Sequence, residues 1–351
     1  MILQVLPSIS LHDAISQHVV RIDDELKRNN IESSIVAQYI HPYFADRVSL
    51  PSSIDSFDDH HILYHMSMAS SLAEKIHSSN ARVDMWYHNI TPAKYFEPWE
   101  PYVSLELRIA RYQLSQLAVR ADRGVAASRY SENELKVQGC RHTSVMPVLF
   151  DVSKKVGDTS TRRHPRAKDA RILSVGRYAP HKRVEKLIQS IALYRDLIDE
   201  GATLDLVGSS SSRWYKESLE QLIEKLNLKD AVRFHENIDD IQLSQLYKES
   251  DAYLCLSEHE GFCVPLVEAQ CAGLPIVAID SAAIAETVND AGIILDAHCD
   301  VVDIVAALDV AVHDPEMRAF LQRNAKSNVT EHDIDQEAMS AVQWLVSEGT
   351  Q

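Results

Sequence analysis

Apolar residues along this chain fall in short blocks, separated by longer stretches in which they recur every three or four positions. Residues 5–8 form the first block, and after Asp13 the side chains of Ala14, Ile15, Val19, Ile22 and Leu26 share one helical face. The alternation returns with blocks at 34–40, 62–65, 83–87 and 125–127, and with periodic stretches over 69–76, 105–121 and 132–138. Strands that are short and apolar, alternating with helices and carrying few hairpin signals, predict a parallel sheet covered on both faces. Between 151 and 169 the pattern lapses into Lys154, Lys155, Gly157, Asp158, Thr159, Ser160, Thr161, Arg162, Arg163 and Pro165, which reads as a solvated connector. Beyond it strands are expected at 172–175, 204–207, 232–234, 253–256 and 276–279, with helices over 184–197, 214–226, 243–248 and 266–272. The predicted class is α/β, with two doubly wound, Rossmann-like domains at 1–157 and 158–330, each of ordinary domain size. A last helix within 331–351 has no strand after it and is expected to pack back across the domain junction.

Composition narrows the function by exclusion. A chain of 351 residues, 45% hydrophobic and 25% charged, is globular and long enough for two cores. Its net charge of −16 is uneven: residues 1–160 carry 16 basic and 19 acidic side chains, and the remainder carries 19 and 32. No nucleic-acid partner is expected of so acidic a chain. The five cysteines, at 140, 255, 263, 271 and 299, form no Cys-x-x-Cys pair, so reduced and mostly buried thiols are expected. The start, Met1 to Pro7, lacks the basic flank of a signal peptide, and no run of 18 apolar residues occurs, so a cytoplasmic location is expected. Arg108, Arg111, Arg120 and Arg123 interleave with Leu105, Leu107, Ile109, Leu114 and Leu117, a pattern of an ordinary solvated helix face rather than a membrane patch.

Candidate chemistry concentrates in the second half. Ser174-Val175-Gly176-Arg177-Tyr178-Ala179-Pro180-His181-Lys182-Arg183 follows a strand and precedes a helix, so Arg177 and Lys182 leave from the carboxyl edge of the sheet, where open parallel sheets bind ligands. A turn-permitting glycine followed by two cations suits a diphosphate. The run Glu258-His259-Glu260-Gly261-Phe262-Cys263-Val264-Pro265-Leu266-Val267-Glu268-Ala269 follows another strand and enters a helix whose first amides, near Val264 to Val267, favour an anion. Pro265 fits the first helical turn, where no internal amide bond is needed. Glu260 and Glu268 flank this turn and are expected to face the ligand, their carboxylates suited to accepting hydrogen bonds from the hydroxyls of a nucleotide sugar.

Other constellations are weaker. Asp58-Asp59-His60-His61 with His65 imitates a metal site, but His60 and His61 point to opposite faces of an extended segment. Ser128 lacks the Gly-x-Ser-x-Gly context of a serine hydrolase. Cys263, near a helix start, reads as packing rather than as a reactive thiol. His12 and Asp13 serve equally as a helix cap or as ligand contacts.

Gly176-Arg177 with Lys182, then Glu260-x7-Glu268 and Ala272-Gly273-x-Pro275-Ile276-Val277, resembles the donor-binding signature of the retaining glycosyltransferases of family four, which have the GT-B fold. Tyr87-His88-Asn89-Ile90-Thr91-Pro92 and Ala127-Ser128-Arg129-Tyr130-Ser131 resemble first-domain segments of polysaccharide-building members. The resemblance implies two domains facing a central cleft, an acceptor side in the first and a nucleotide-sugar site in the second. By position it implies that Arg177 and Lys182 hold the donor diphosphate, that Glu260 lies against hydroxyls of the transferred sugar and that Glu268 grips the ribose. Gly176, Gly261, Phe262, Cys263, Val264, Pro265 and Leu266 would line the sugar and phosphates, and Asn237-Ile238 would frame the base. His88 would stand beside the reacting sugar, with Asn89, Ser10, His12, Asp13, Ala14, Ser128 and Arg129 on the acceptor side. The family's Gly-Gly pair is replaced by Ser8-Ile9-Ser10-Leu11-His12-Asp13-Ala14, and Cys263 stands where glycine is common.

The implied activity is retaining transfer of a hexose from a nucleoside-diphosphate sugar to a glycan or lipid-linked glycan, in surface polysaccharide assembly. No metal and no further cofactor is expected, since two cations already face the leaving group and no convincing Asp-x-Asp motif occurs. Association with the inner face of the membrane is compatible with such an acceptor. A sugar-nucleotide epimerase of the same fold and a non-catalytic nucleotide-sugar binder remain as alternatives.

Overall fold

The computed structural model describes residues 1–11, 13–152, 156, 168–330 and 333–347. His12 and most of the expected connector, Lys154, Lys155 and Gly157 to Pro165 among it, lie outside these residues. The chain forms two compact units, one of Met1–Glu97, Pro101–Phe150 and Asp333–Gln351, the other of Pro98–Glu100 and Asp151–His332. The first unit thus ends at Phe150 instead of 157, gives up Pro98–Glu100 and takes back the last helix.

In the first unit the described strands are β1 (Ile2–Ile9), β2 (Ser33–Ile40), β3 (Val48–Ser49), β4 (His61–Met66), β5 (Arg82–Tyr87), β6 (Arg123–Ala126) and β7 (Thr143–Val145). They pair in parallel in the order β3-β2-β1-β4-β5-β6-β7. β1 is buried on both faces, which is why it reads as a continuous apolar block rather than an alternation. The Ala14–Arg28 helix starts at Asp13, whose carboxylate accepts from the Ser16 amide at 2.9 Å and hydroxyl at 2.7 Å. Its Ile22 and Leu26 pack with Trp86 and with Ala338, Ala341, Val342 and Leu345 of the Ile334–Val346 helix. Each such fully buried leucine or isoleucine contributes about 1.5–3 kcal/mol.

The second unit repeats the plan with β8 (Arg171–Val175), β9 (Thr203–Val207), β10 (Val232–His235), β11 (Ala252–Cys255), β12 (Ile276–Ile279) and β13 (Gly292–Leu295), all parallel, in the order β10-β9-β8-β11-β12-β13. Both sheets reverse direction of succession between their first and fourth strands, at β1/β4 and at β8/β11. Loops leaving the carboxyl ends of such neighbours diverge and leave a crevice.

The structure adds elements that the apolar pattern does not announce. β3 has two residues, and β7 reads Thr-Ser-Val without an apolar block. The Val301–His313 helix keeps apolar side chains on its outer face as well, with Val302 58% and Val310 37% exposed, so its periodicity is blurred. The Ile284–Val288 and Pro315–Thr330 helices complete the region after β12.

Candidate functional site

The site of the second unit is assembled from two loops that leave the adjacent strands β8 and β11. After β8 the backbone passes Gly176, a short 3-10 turn over Pro180–Lys182, and Arg183 in the left-handed region at φ 53°, before the Val184–Leu197 helix begins. After β11 it passes Glu258 to Phe262 and Cys263, also left-handed at φ 74°, and enters the Val264–Cys271 helix with Pro265 in its first turn. A non-glycine residue in this region costs of order 1–3 kcal/mol and persists where its surroundings demand it. Here three ties between the loops do so: the Glu258 amide donates to the His181 carbonyl at 2.7 Å, Arg183 Nε lies 3.3 Å from Glu258 Oε1, and Lys182 Nζ donates to Glu260 Oε1.

The Lys182–Glu260 contact changes the electrostatic picture drawn from the sequence. Lys182 is not a free cation waiting for an anion but half of a largely buried ion pair, its side chain 17% and that of Glu260 11% exposed. Burial alone would lower the Lys182 pKa; the Glu260 carboxylate outweighs that and holds it above the ordinary lysine value. Arg177 is exposed and makes no ion pair among the described residues. With Lys182 and Arg177 nearby, and above all through its burial, His181 is held neutral, its pKa well below the usual imidazole value. Ser174, Gly176, Arg177, Lys182, Glu260 and Cys263 line one shared cavity.

Gly208, at the end of β9, belongs to this construction and was not among the sequence candidates. A Cβ there would lie 2.0 Å from the Gly176 carbonyl oxygen, and the Gly176 amide donates to the Val207 carbonyl at 2.8 Å. Its absent side chain lets the β8 loop lie against β9. Leu206-Val207-Gly208, a strand ending in glycine beside Val175-Gly176, is the signal that could have found it.

Glu268 is placed differently from the expectation that it faces the cavity beside Glu260. It is 1% exposed, on the inner side of the Val264–Cys271 helix, and its Oε2 accepts from the Tyr247 hydroxyl at 2.8 Å. Cys263 is not isolated: its sulfur lies within 4.8 Å of that of Cys255, and that neighbour together with burial raises its pKa well above the ordinary thiol value. Val264 and Leu266 are buried, Gly261 and Phe262 are half-buried, and Phe262 offers its carbonyl to the Thr287 hydroxyl. Asn237 is exposed at φ 56°, and Ile238 packs against the core beneath β11.

In the first unit His88 follows β5 directly, at the carboxyl end of the sheet; its amide donates to the Met66 carbonyl at 2.9 Å and its Nε2 lies 3.0 Å from His65 Nδ1. Asn89, at φ 74°, donates to the Ser131 hydroxyl at 2.9 Å, and Ser128 caps the Arg129–Val137 helix through the Ser131 amide at 3.1 Å. These three are tied to one another within the unit. Asp13 caps its helix, the Ser10 amide donates to Ser16 Oγ at 2.9 Å, Ala14 opens that helix, and Arg129 is exposed. His61 bonds Asp84 at 2.9 Å, while His65 turns to Gln4 and His88. Among the described residues two groups place three metal-capable side chains together, His18-His65-His88 and Cys255-Glu260-Cys263. In the second, the Lys182 ammonium already occupies the carboxylate.

Comparison with known proteins shows what this arrangement is similar to. The model of the glycosyl transferases group 1 family matches residues 158–328. Over those residues the chain is similar to that family. A GDP-mannose:cellobiosyl-diphosphopolyprenol alpha-mannosyltransferase of Komagataeibacter xylinus is 30% identical over 162 residues, 46% of this chain and 39% of the relative. The chain thus spans about two fifths of the length of the first curated relatives it matches. A D-inositol 3-phosphate glycosyltransferase of Stackebrandtia nassauensis is 26% identical over 91% of this chain and 74% of its own length. Among solved structures, Anabaena HepE in complex with UDP-glucose superposes with a TM-score of 0.78 at 18% identity, covering 99% of this chain and 100% of that one. WaaG, a glycosyltransferase involved in lipopolysaccharide biosynthesis, gives 0.72 at 14% identity, covering 99% and 100%. At such identities the likeness establishes the fold: two parallel-sheet, Rossmann-like units, the GT-B plan. The group 1 match covers both loops of the site, from Gly176 to Glu268.

Proposed function

We propose that this chain transfers a hexose from a nucleoside-diphosphate sugar to a glycan or lipid-linked glycan acceptor with retention of anomeric configuration, in the assembly of a surface polysaccharide. The observation that carries this reading is the meeting of Arg177, Lys182 and the start of the Val264–Cys271 helix at the β8/β11 crossing, three positive features around one cavity. Sugar chemistry is supported by the group 1 match and by relatives whose names specify mannosyl and other glycosyl transfer.

Cleavage of the sugar–phosphate bond develops negative charge on the diphosphate and positive, oxocarbenium-like character on the sugar. The main demand is leaving-group stabilisation, which preorganised donors supply without reorganisation. Arg177 and the amides that open the helix meet the diphosphate. Lys182 joins them by exchanging the Glu260 carboxylate for phosphate oxygen, which releases Glu260 to accept from sugar hydroxyls. Glu268, buried and held by Tyr247, braces the helix that opens toward the diphosphate. Charge on the leaving group is met by side chains and dipoles, so the reading requires no divalent metal. Retention follows when the acceptor hydroxyl attacks from the face that the diphosphate leaves.

No helix among the described residues is long and apolar enough to cross a membrane. In this reading a lipid-linked acceptor is met at the membrane surface, without insertion of such a helix. A thermal-shift panel of uridine, guanosine and adenosine diphosphate sugars identifies the donor through the stabilisation that binding confers. Product formation with that donor and a glycan acceptor, with the new linkage read by NMR, tests the reaction. Stabilisation by none of them, or isomerised donor without transfer, would reject it.

A further inference from the structure

A row of hydrogen bonds crosses the first sheet at its β1/β4 reversal, and its direction is fixed from one end. Gln4 lies in β1, His65 in β4 and His88 at the end of β5, all fully or largely buried. Gln4 Nε2 donates to the Val19 carbonyl at 3.1 Å; a carbonyl only accepts, so the amide cannot be turned and Gln4 Oε1 faces His65. His65 Nε2, 3.1 Å from that oxygen, must carry a hydrogen. A neutral imidazole has one N–H, so His65 Nδ1 is bare, and His88 Nε2 at 3.0 Å must donate to it. His88 Nδ1 is then a bare lone pair, and it is buried without a hydrogen-bond partner.

Neutrality of the row follows from burial, which lowers the His65 pKa well below its ordinary value and that of His88 to about 3. His18 closes the back. The Leu149 amide donates to its Nδ1 at 3.0 Å, so its hydrogen sits on Nε2, and its ring stands edge-on to those of His65 and His88. The three imidazoles imitate a metal centre, but His18 Nε2 has no lone pair to give while that amide bond holds.

An unpaired buried acceptor costs about 1–3 kcal/mol. We propose that Gln4 and His65 are positioning residues that hold His88 in one tautomer, with Nδ1 kept as an acceptor for a sugar hydroxyl at the carboxyl edge of the first sheet. The sugar contact rests on the glycosyl-transfer reading above; the tautomer lock does not. A group that only accepts, such as the carboxylate of a uronic acid, is disfavoured opposite this nitrogen.

Selective 15N-histidine labelling of the whole chain tests the lock without any ligand, with His88→Asn assigning the resonances. The wild type should show His88 Nδ1 at the shift of an unprotonated ring nitrogen and Nε2 at that of a protonated one. Gln4→Met, close in volume, removes the acceptor at the end of the row and should average the two shifts. With UDP-glucose and GDP-mannose as donors, Gln4→Met should lower kcat on the order of tenfold, one hydrogen bond's worth, and leave UDP or GDP affinity unchanged. A protonated His88 Nδ1 in the wild type, or Gln4→Met with wild-type shifts, overturns the lock. Averaged shifts with unchanged kcat overturn the sugar contact. Wild-type protein that turns over neither donor removes the sugar contact through the reading it rests on, and the nitrogen shifts still decide the lock.

Discussion

The two units carry the same sheet reversal and have put opposite chemistry there. At β8/β11 the loops hold charge: Lys182 paired with Glu260, Arg177 exposed, and a helix start. At β1/β4 stand Gln4 and three imidazoles, polar but neutral. Topology supplies the crevice, and side chains decide what it can hold. A charged crossing suits a diphosphate, whereas a neutral row of fixed donors and acceptors suits hydroxyls, which need orientation more than charge.

The contrast breaks most visibly at Lys182. Lys182→Ala should lower transfer on the order of 10²–10³-fold, the worth of one donor in a preorganised anion site, and weaken binding of the nucleoside diphosphate, measured by steady-state kinetics and titration calorimetry. Wild-type values for both would leave the charged crossing without a role. Glu260→Gln sharpens the point by separating the partners: turnover should fall by more than tenfold while diphosphate affinity holds or rises, because Lys182 loses its competitor.

Gly208→Ala probes the scaffold of the charged side alone. A methyl group 2.0 Å from the Gly176 carbonyl oxygen must push the β8 loop outward, at a cost of about 1–3 kcal/mol, read as a lowered denaturant midpoint together with weaker diphosphate binding. An unchanged midpoint would show that the loop does not need β9.

On the neutral side, acid is the probe. His18, His65 and His88 have folded pKa values held down first of all by burial, so the unfolded chain binds protons that the folded one refuses. Stability is full above the unfolded value of about 6.5 and falls as the pH drops below it, by up to about 1.4 kcal/mol per unit for each histidine, until the folded values are reached. His65→Asn, if folded, should flatten this slope between pH 6 and 4; an unchanged slope would contradict a neutral row. The smallest expected effect is that of a chelator: EDTA should leave transfer unchanged, and strict dependence on magnesium or manganese would reject metal-free leaving-group stabilisation.

Much of this was legible in the chain. Blocks such as 276–279 and the periodic run over 184–197 coincide with β12 and the Val184–Leu197 helix, because buried parallel strands and amphipathic helices leave opposite signatures. The motif around Gly176 and that around Glu260 were visible as separate loops. Their union was not: Lys182 and Glu260 are 78 positions apart, and only the adjacency of β8 and β11 makes them an ion pair. Glu268 was misplaced because an eight-residue spacing fixes its helix but not which side of that helix faces the core. Gly208 escaped because its importance lies in a neighbour's backbone, and the Gln4–His65–His88 row because its members come from three strands whose sequences show only apolar blocks with an odd polar residue inside.

Whether a pyrophosphate sits at the charged crossing is most directly answered by a crystal structure with UDP or GDP bound. The account predicts phosphate oxygens within hydrogen-bond distance of Lys182 Nζ and of the amides that open the Val264–Cys271 helix, with the Lys182–Glu260 contact broken. Phosphates bound elsewhere, with that ion pair intact, would contradict it.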